Sequence, residues 1–238
     1  MDLSRVWNRE AGLRYIRSIN YEGSSGSNIE CDNIVALMNA ATYNATRSTA
    51  TSYAQFGQDR LLYDFFEGKT NGTFVDIGAG EAIHYSNTYG LESQFGWTGV
   101  LVELDPIRRK DLQENRKALL FPDALKWNAT SSNINEILAA TNKTHIEYFS
   151  LDVDGPELEA IKYLDFNKYS FDLLNIEHDI YRPKNYIKRK KIKEIVEQAG
   201  YEYLISISVD DFYVPRGIVT SINKEYGYNF EEILGLGV

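Results

Sequence analysis

From residue 71 onward the chain alternates short apolar runs with longer amphipathic stretches. Runs at 74–77, 100–103, 124–127, 146–151, 173–177 and 201–207 are short and rich in β-branched and aromatic residues, which predicts strands. Between them, 87–94, 106–117, 134–140, 156–164 and 186–199 carry apolar residues at helical spacing. Strands alternating with helices predict a mostly parallel sheet covered on both faces. The last strand, 201–207, and a further one at 212–214 are joined by Val209-Asp-Asp211, short enough for an antiparallel hairpin at the sheet edge. A parallel sheet closed by such a hairpin is the arrangement of class I, Rossmann-like methyltransferases, here with seven strands.

The first 50 residues read differently. Helical periodicity at 3–19 and 34–43 flanks the flexible connector Gly23-Ser-Ser-Gly-Ser27. This segment is expected to be a helical appendage or lid, with 51–238 forming the main domain. A helix is expected over 53–66.

The chain concentrates its chemistry at the expected carboxyl ends of the strands, where ligands of open α/β sheets sit. The first strand runs into Gly78-Ala79-Gly80, a corner at which backbone can approach a ligand closely. The dinucleotide fingerprint needs a third glycine, and Ile83 stands there instead. Asp76, just before the corner, would repel a pyrophosphate. It suits S-adenosylmethionine, which carries an ammonium and a sulfonium. Glu103 ends the second strand, where an acid accepts hydrogen bonds from a ribose diol. Trp127, Asn128 and Ala129 end the third expected strand, placed to meet the adenine, although Trp127 could equally be core.

Further along, Asp152, Asp154, Glu177 and His178 crowd two neighbouring strand ends. A hydroxyl is a poor nucleophile, so its methylation calls for a base or a metal. Candidate bases are His178, tuned by Glu177 and Asp179, and Asp152 or Asp154. Alternatively Asp152, Glu177 and His178 could hold a divalent ion such as Mg²⁺ or Mn²⁺. A lone carboxylate in this position is also commonly a helix cap, and Asp154 before Gly-Pro-Glu fits that role. His145 is expected at a strand edge or in the core, and His84 on an exposed loop. Nucleobase amino methylation would require prolines and an aromatic ring after the fourth strand. Asp152-Val-Asp-Gly155 offers no ring for a flipped base.

Composition narrows the partners. A net charge of −9 speaks against a nucleic acid. The basic run 188–193 is expected to be the solvated face of a helix whose apolar face is Ile187, Ile192, Ile195 and Val196, or else a patch for an anionic substrate. One cysteine, the lack of an apolar leader and the lack of an eighteen-residue apolar run suggest a cytoplasmic protein without a membrane span.

The segments Ala54-Gln-Phe-Gly-Gln-Asp59, Phe74-Val-Asp-Ile-Gly-Ala-Gly80, Ser86-Asn-Thr-Tyr-Gly-Leu-Glu92, Trp97-Thr-Gly-Val-Leu-Val-Glu103, Leu151-Asp-Val-Asp-Gly-Pro-Glu-Leu-Glu159 and Asn175-Ile-Glu-His178 together resemble the FkbM-type methyltransferases. The resemblance implies that Asp76, Gly78, Gly80 and Glu103 hold S-adenosylmethionine, with Gln58, Ser86 and Asn87 near it. It also implies O-methylation of a sugar, a glycan or a polyketide-type natural product. The family commonly has glutamate where Asp154 stands. The other readings are an O-methyltransferase of a non-sugar metabolite, a non-catalytic scaffold, and an NAD or nucleotide-sugar enzyme.

Overall fold

In the computed structural model, residues 50–128, 131–178 and 185–218 are described. The appendage expected over 1–50 lies outside them except for its last residue, as do Ala129, Asp179 and the C-terminal tail.

Among the described residues, seven strands form one sheet: β1 (Thr73–Ile77), β2 (Thr98–Val102), β3 (Leu119–Leu120), β4 (His145–Leu151), β5 (Ser170–Glu177), β6 (Tyr201–Ile207) and β7 (Asp210–Pro215). Their order is β3-β2-β1-β4-β5-β7-β6, with β7 antiparallel to both neighbours and all other pairs parallel. This is the class I methyltransferase sheet. Six described helices accompany it: α1 (Gln58–Phe65), α2 (Tyr89–Phe95), α3 (Pro106–Asn115), α4 (Ile134–Ala139), α5 (Glu157–Ile161) and α6 (Asn185–Gln198). Among the described residues, no helix is long and apolar enough to cross a membrane.

Side chains on a strand alternate between faces, so the sheet divides the core in two. Phe74, Leu101, Tyr148, Leu173 and Phe212 pack with Leu61, Leu62 and Leu91 of α1 and α2. Ile77, Leu151, Ile176 and Tyr213 pack on the other face with Ile137, Ile161, Ile192 and Val196.

Three expected elements move. The third strand is not 124–127 but Leu119–Leu120, paired with Val100 and Leu101. Pro122 lacks an amide hydrogen and cannot extend the ladder. The chain after it becomes a loop clipped by Arg109, whose guanidinium donates to the carbonyls of Glu103, Phe121 and Pro122. The helix expected from residue 53 begins at Gln58, because Asp59 holds the preceding segment in a non-helical turn. Its carboxylate accepts from Ser52 Oγ, from the Tyr53 and Ala54 amides, and from the Tyr63 hydroxyl. In the hairpin, the turn is Ser208-Val209, with Ser208 at φ +56°, so Asp210 and Asp211 belong to β7 and not to the loop.

Candidate active site

The carboxyl ends of β1, β2, β4 and β5 open onto a cleft of about 1320 Å³. Of the expected cofactor residues, Gln58, Asp76, Gly78, Ala79, Gly80, Asn87 and Glu103 line it. Each of the two glycines does something different. Gly78 has φ +90°, and a Cβ there would sit 1.5 Å from the Asp152 carbonyl oxygen. Its freedom serves the close packing of β1 against the β4 tip, not a ligand. At Gly80, φ is +63° and a Cβ would meet nothing nearer than the Gly78 oxygen at 4.0 Å, so the backbone there faces open space.

Glu103 is fastened by backbone amides. Its Oε2 accepts from Gly80 at 2.8 Å, and Oε1 accepts from Leu104 and Asp105 at 2.7 and 2.8 Å. A carboxylate has about four acceptor sites, which leaves capacity for a hydroxyl from the cleft side. Asp105 caps α3 through the Ile107 and Arg108 amides, which holds its carboxyl below the usual range. Asp76 is buried and its oxygen accepts from Thr88 Oγ1 at 2.7 Å, with Arg116 donating to the same hydroxyl. Burial raises its pKa, and the Thr88 hydroxyl and the Arg116 charge oppose that rise. Asp76 thus lines the cleft wall while one of its oxygens is tied inward.

Ser86 does not line the cleft. It is buried, and its Oγ accepts from the Tyr89 amide and from Arg116, so it organises the start of α2. Asn128 also stands aside, exposed and bonded to Ser131. Trp127 does line the cleft and is 46% exposed, so it is not core. With Leu104, 77% exposed, it offers an apolar surface next to Glu103.

The β4, β5 and β7 tips form the acidic end. Parallel and antiparallel registers pair Leu151 with Ile176 and Glu177 with Asp210. One step beyond Leu151, Asp152 falls in the same row. Asp152, Glu177 and Asp210 therefore share the cleft face, and all three line the cleft with Asp154. Burial is the largest influence on Asp152 and raises it to about 7; Glu157, Asp154 and Asp76 push the same way, and a hydrogen bond to Glu177 opposes them. Asp210 is raised well above the carboxylate range, first by burial and then by Asp152, although Gln58 Nε2 donates to its Oδ2 at 2.8 Å.

His178 does not join this row. It follows Glu177, and successive strand residues point to opposite faces. Its ring is 1% exposed, does not line the cleft, and has Nε2 3.6 Å from Asp211 Oδ1. Arg189 of α6 forms a two-point pair with the same carboxylate at 2.8 and 2.9 Å, and Ser206 donates to it. Burial alone would raise Asp211, but His178, Arg189 and Ser206 bring its pKa below the usual range. The expected metal set Asp152, Glu177 and His178 is therefore divided between the two faces. Among the described residues, no group of three His, Cys, Asp or Glu side chains is arranged to hold a metal ion. Breaking a buried pair by removing one partner costs about 3–5 kcal/mol. Arg189→Ala is expected to lower the unfolding free energy by that amount, read by urea unfolding as a lower midpoint with the slope unchanged.

Asp154 is not a helix cap. It is exposed at φ +58°, and the residue before α5 is Pro156, with no side-chain cap. Glu157 shapes the loop instead, its Oε1 accepting from the Val153 and Gly155 amides while Oε2 pairs with Lys188. The basic run is thus neither a solvated face nor a substrate patch throughout, since Lys188 and Arg189 reach inward to buried acids. Ile187, expected on the apolar face, is 62% exposed. His84 is exposed, and His145 sits at the exposed start of β4 beside Asp172 and Ser170.

Among the cleft residues that the sequence did not single out are Gln55, Phe56, Tyr85 and Asp210. The first two lie on the turn ahead of α1 that Gly57, at φ +79°, makes possible. Counting Asp210 as strand instead of turn would have put it on β7, but its place opposite Glu177 comes from the pairing of β7 with β5.

No protein-family model matches the chain, and no curated protein matches it. Among solved structures, it is similar to a precorrin-6y C5,15-methyltransferase from Geobacter metallireducens, 10% identical, covering 70% of this chain and 91% of that one with a TM-score of 0.44. It is also similar to a methyltransferase from Pyrococcus furiosus, 13% identical, covering 89% and 99%, TM-score 0.39. A third is the N-terminal domain of human METTL16 in complex with SAH, 10% identical, covering 90% and 96%, TM-score 0.41. Likeness at this level does not decide the activity, and the fold rests on the strand order itself.

Proposed function

We propose that this chain is an S-adenosylmethionine-dependent methyltransferase acting on a hydroxyl, with a sugar or glycan as the acceptor. The sheet order and the residues around the β1–α2 corner support the donor: open backbone at Gly80, Glu103 with spare acceptor capacity, and apolar surface at Leu104 and Trp127. The motif resemblance to FkbM-type enzymes supports the hydroxyl and the sugar. When bound, the donor supplies an electrophilic methyl group on a sulfonium.

The observation that carries the reading is Asp152, at the β4 tip beside the corner, with a carboxyl shifted to about 7. A base of that strength is matched to neutral conditions. Asp152 accepts the hydroxyl proton as the oxygen attacks, and Glu177 holds it in place through their shared hydrogen bond. Gln58, tied to Asp210 at 2.8 Å, walls the cleft on the α1 side.

Calorimetry with S-adenosylhomocysteine tests the donor half. Glu103→Gln removes a charged acceptor from the expected ribose position, and charge-assisted hydrogen bonds contribute about 1.5–3 kcal/mol. Affinity is expected to fall about ten- to hundredfold. Unchanged affinity would place the donor elsewhere.

A further inference from the structure

The cleft gathers far more carboxyl groups than its donor can pair with. Among the described residues, eight carboxylates line it, against one guanidinium, Arg108. On the β1–β2 side, Glu103, Asp105 and Asp76 bond to backbone amides or to Thr88. The β4–β5–β7 side adds Asp152, Asp154, Glu177 and Asp210. S-adenosylmethionine brings two positive groups and one carboxylate, a net charge of one.

The described basic side chains do not neutralise this end. The two that α6 sends inward go to Glu157 and Asp211. Neither of those acids lines the cleft. Glu177 and Asp210 stand directly opposite each other on β5 and β7, where two like charges would destabilise a sheet, and with no cation beside it among the described residues Asp210 is held toward its protonated form. Asp210 is 1% exposed and lines the cleft. Its Oδ1 has no partner within hydrogen-bond distance among the described residues, while Oδ2 accepts from the neutral Gln58 amide and the Asn175 side chain lies close enough to oppose the rise in its pKa. A buried acceptor left without a partner costs stability, about 1–3 kcal/mol and more when charged. Such a group at a cleft wall indicates a donor that arrives with the ligand.

We infer that the acceptor is a cation: its reactive hydroxyl is carried on a molecule with a protonated amine, which the Asp210–Glu177–Asp152 row receives. An ammonium has three donors and no acceptor, which matches a wall of carboxylate oxygens. A neutral polyol would leave the row of carboxyls without a counter-cation, and an anionic acceptor would be repelled. The inference rests on the methyltransferase reading above and deepens it by naming the acceptor's charge.

The test is calorimetric titration of matched pairs into the full chain, with and without saturating S-adenosylhomocysteine. The pairs are methyl glucosaminide against methyl glucoside, and 4-aminobutan-1-ol against butane-1,4-diol. In at least one pair the amine is expected to bind tenfold or more tighter than its neutral mate. Asp210→Asn is expected to reduce that ratio below threefold with S-adenosylhomocysteine still bound. Asp154→Asn, at an exposed loop position, is expected to reduce it as well and guards against a folding defect in the first variant. Equal binding within every pair, no amine binding, or a preference untouched in both variants overturns the inference. Failure of S-adenosylhomocysteine to bind overturns the methyltransferase reading instead, so the two failures are distinct.

Discussion

Asp152→Asn is expected to lower kcat by about 10²- to 10⁴-fold, the range contributed by a positioned general base, while donor affinity changes little. The substitution keeps the shape and removes only the ability to accept a proton. The pH profile sharpens the expectation. Burial, with Glu157, Asp154 and Asp76 adding to it, raises the Asp152 carboxyl to about 7. A base works when deprotonated, so kcat should rise with pH through that value and level off above it. In the Asp152→Asn protein this limb disappears. If single-turnover rates of parent and variant coincide, or the limb lies near the ordinary carboxylate value in the parent, Asp152 is not the base. Because Asp152, Glu177 and Asp210 interact, the limb belongs to the group of carboxyls as a whole.

A large effect on stability, joined to one on turnover, is expected at Gly78. Gly78→Ala would place a Cβ 1.5 Å from the Asp152 carbonyl oxygen, at a residue with φ +90°. The neighbouring atom is backbone, so β1 and the β4 tip must separate. Left-handed backbone costs a non-glycine residue about 1–2 kcal/mol, and overpacking typically adds about 1–3 kcal/mol. A loss of roughly 2–5 kcal/mol follows, and the approach to backbone puts it toward the upper end, where single-substitution effects are rare. It should appear as a lower melting temperature, together with loss of turnover from the displaced Asp152. Gly80→Ala provides the contrast, because its Cβ would meet open space and only the backbone conformation is strained. Its stability loss should be the smaller, and its main effect should be on donor binding. Equal stability losses would refute this division of labour between the two glycines.

How legible the site was depends on where each residue lies relative to a strand end. Asp76, Gly78, Gly80 and Glu103 sit on short apolar runs with glycine turns, and all four line the cleft. The local pattern suffices there, because a strand followed by a tight corner fixes which atoms reach the carboxyl end. His178 failed for an equally local reason. Its neighbour Glu177 faces the cleft, so His178 faces away, and β5's length sets that parity. Asp154 looked like a cap because a carboxylate before Gly-Pro usually is one, but Glu157, buried and tied to Lys188, took over the loop amides.

Sequence alone determined the alternation of strand and helix, the antiparallel hairpin and the acids at the first two strand tips, since these follow from periodicity and turn chemistry within a few residues. Tertiary structure decided which of the later acids share a face. Asp210 meets Glu177 only through the pairing of β7 with β5 across 33 positions of chain, and Arg189 finds Asp211 only through the packing of α6 on the sheet. A one-residue change in either register would exchange the cleft acids for the buried ones, and no local signal in the sequence carries that information.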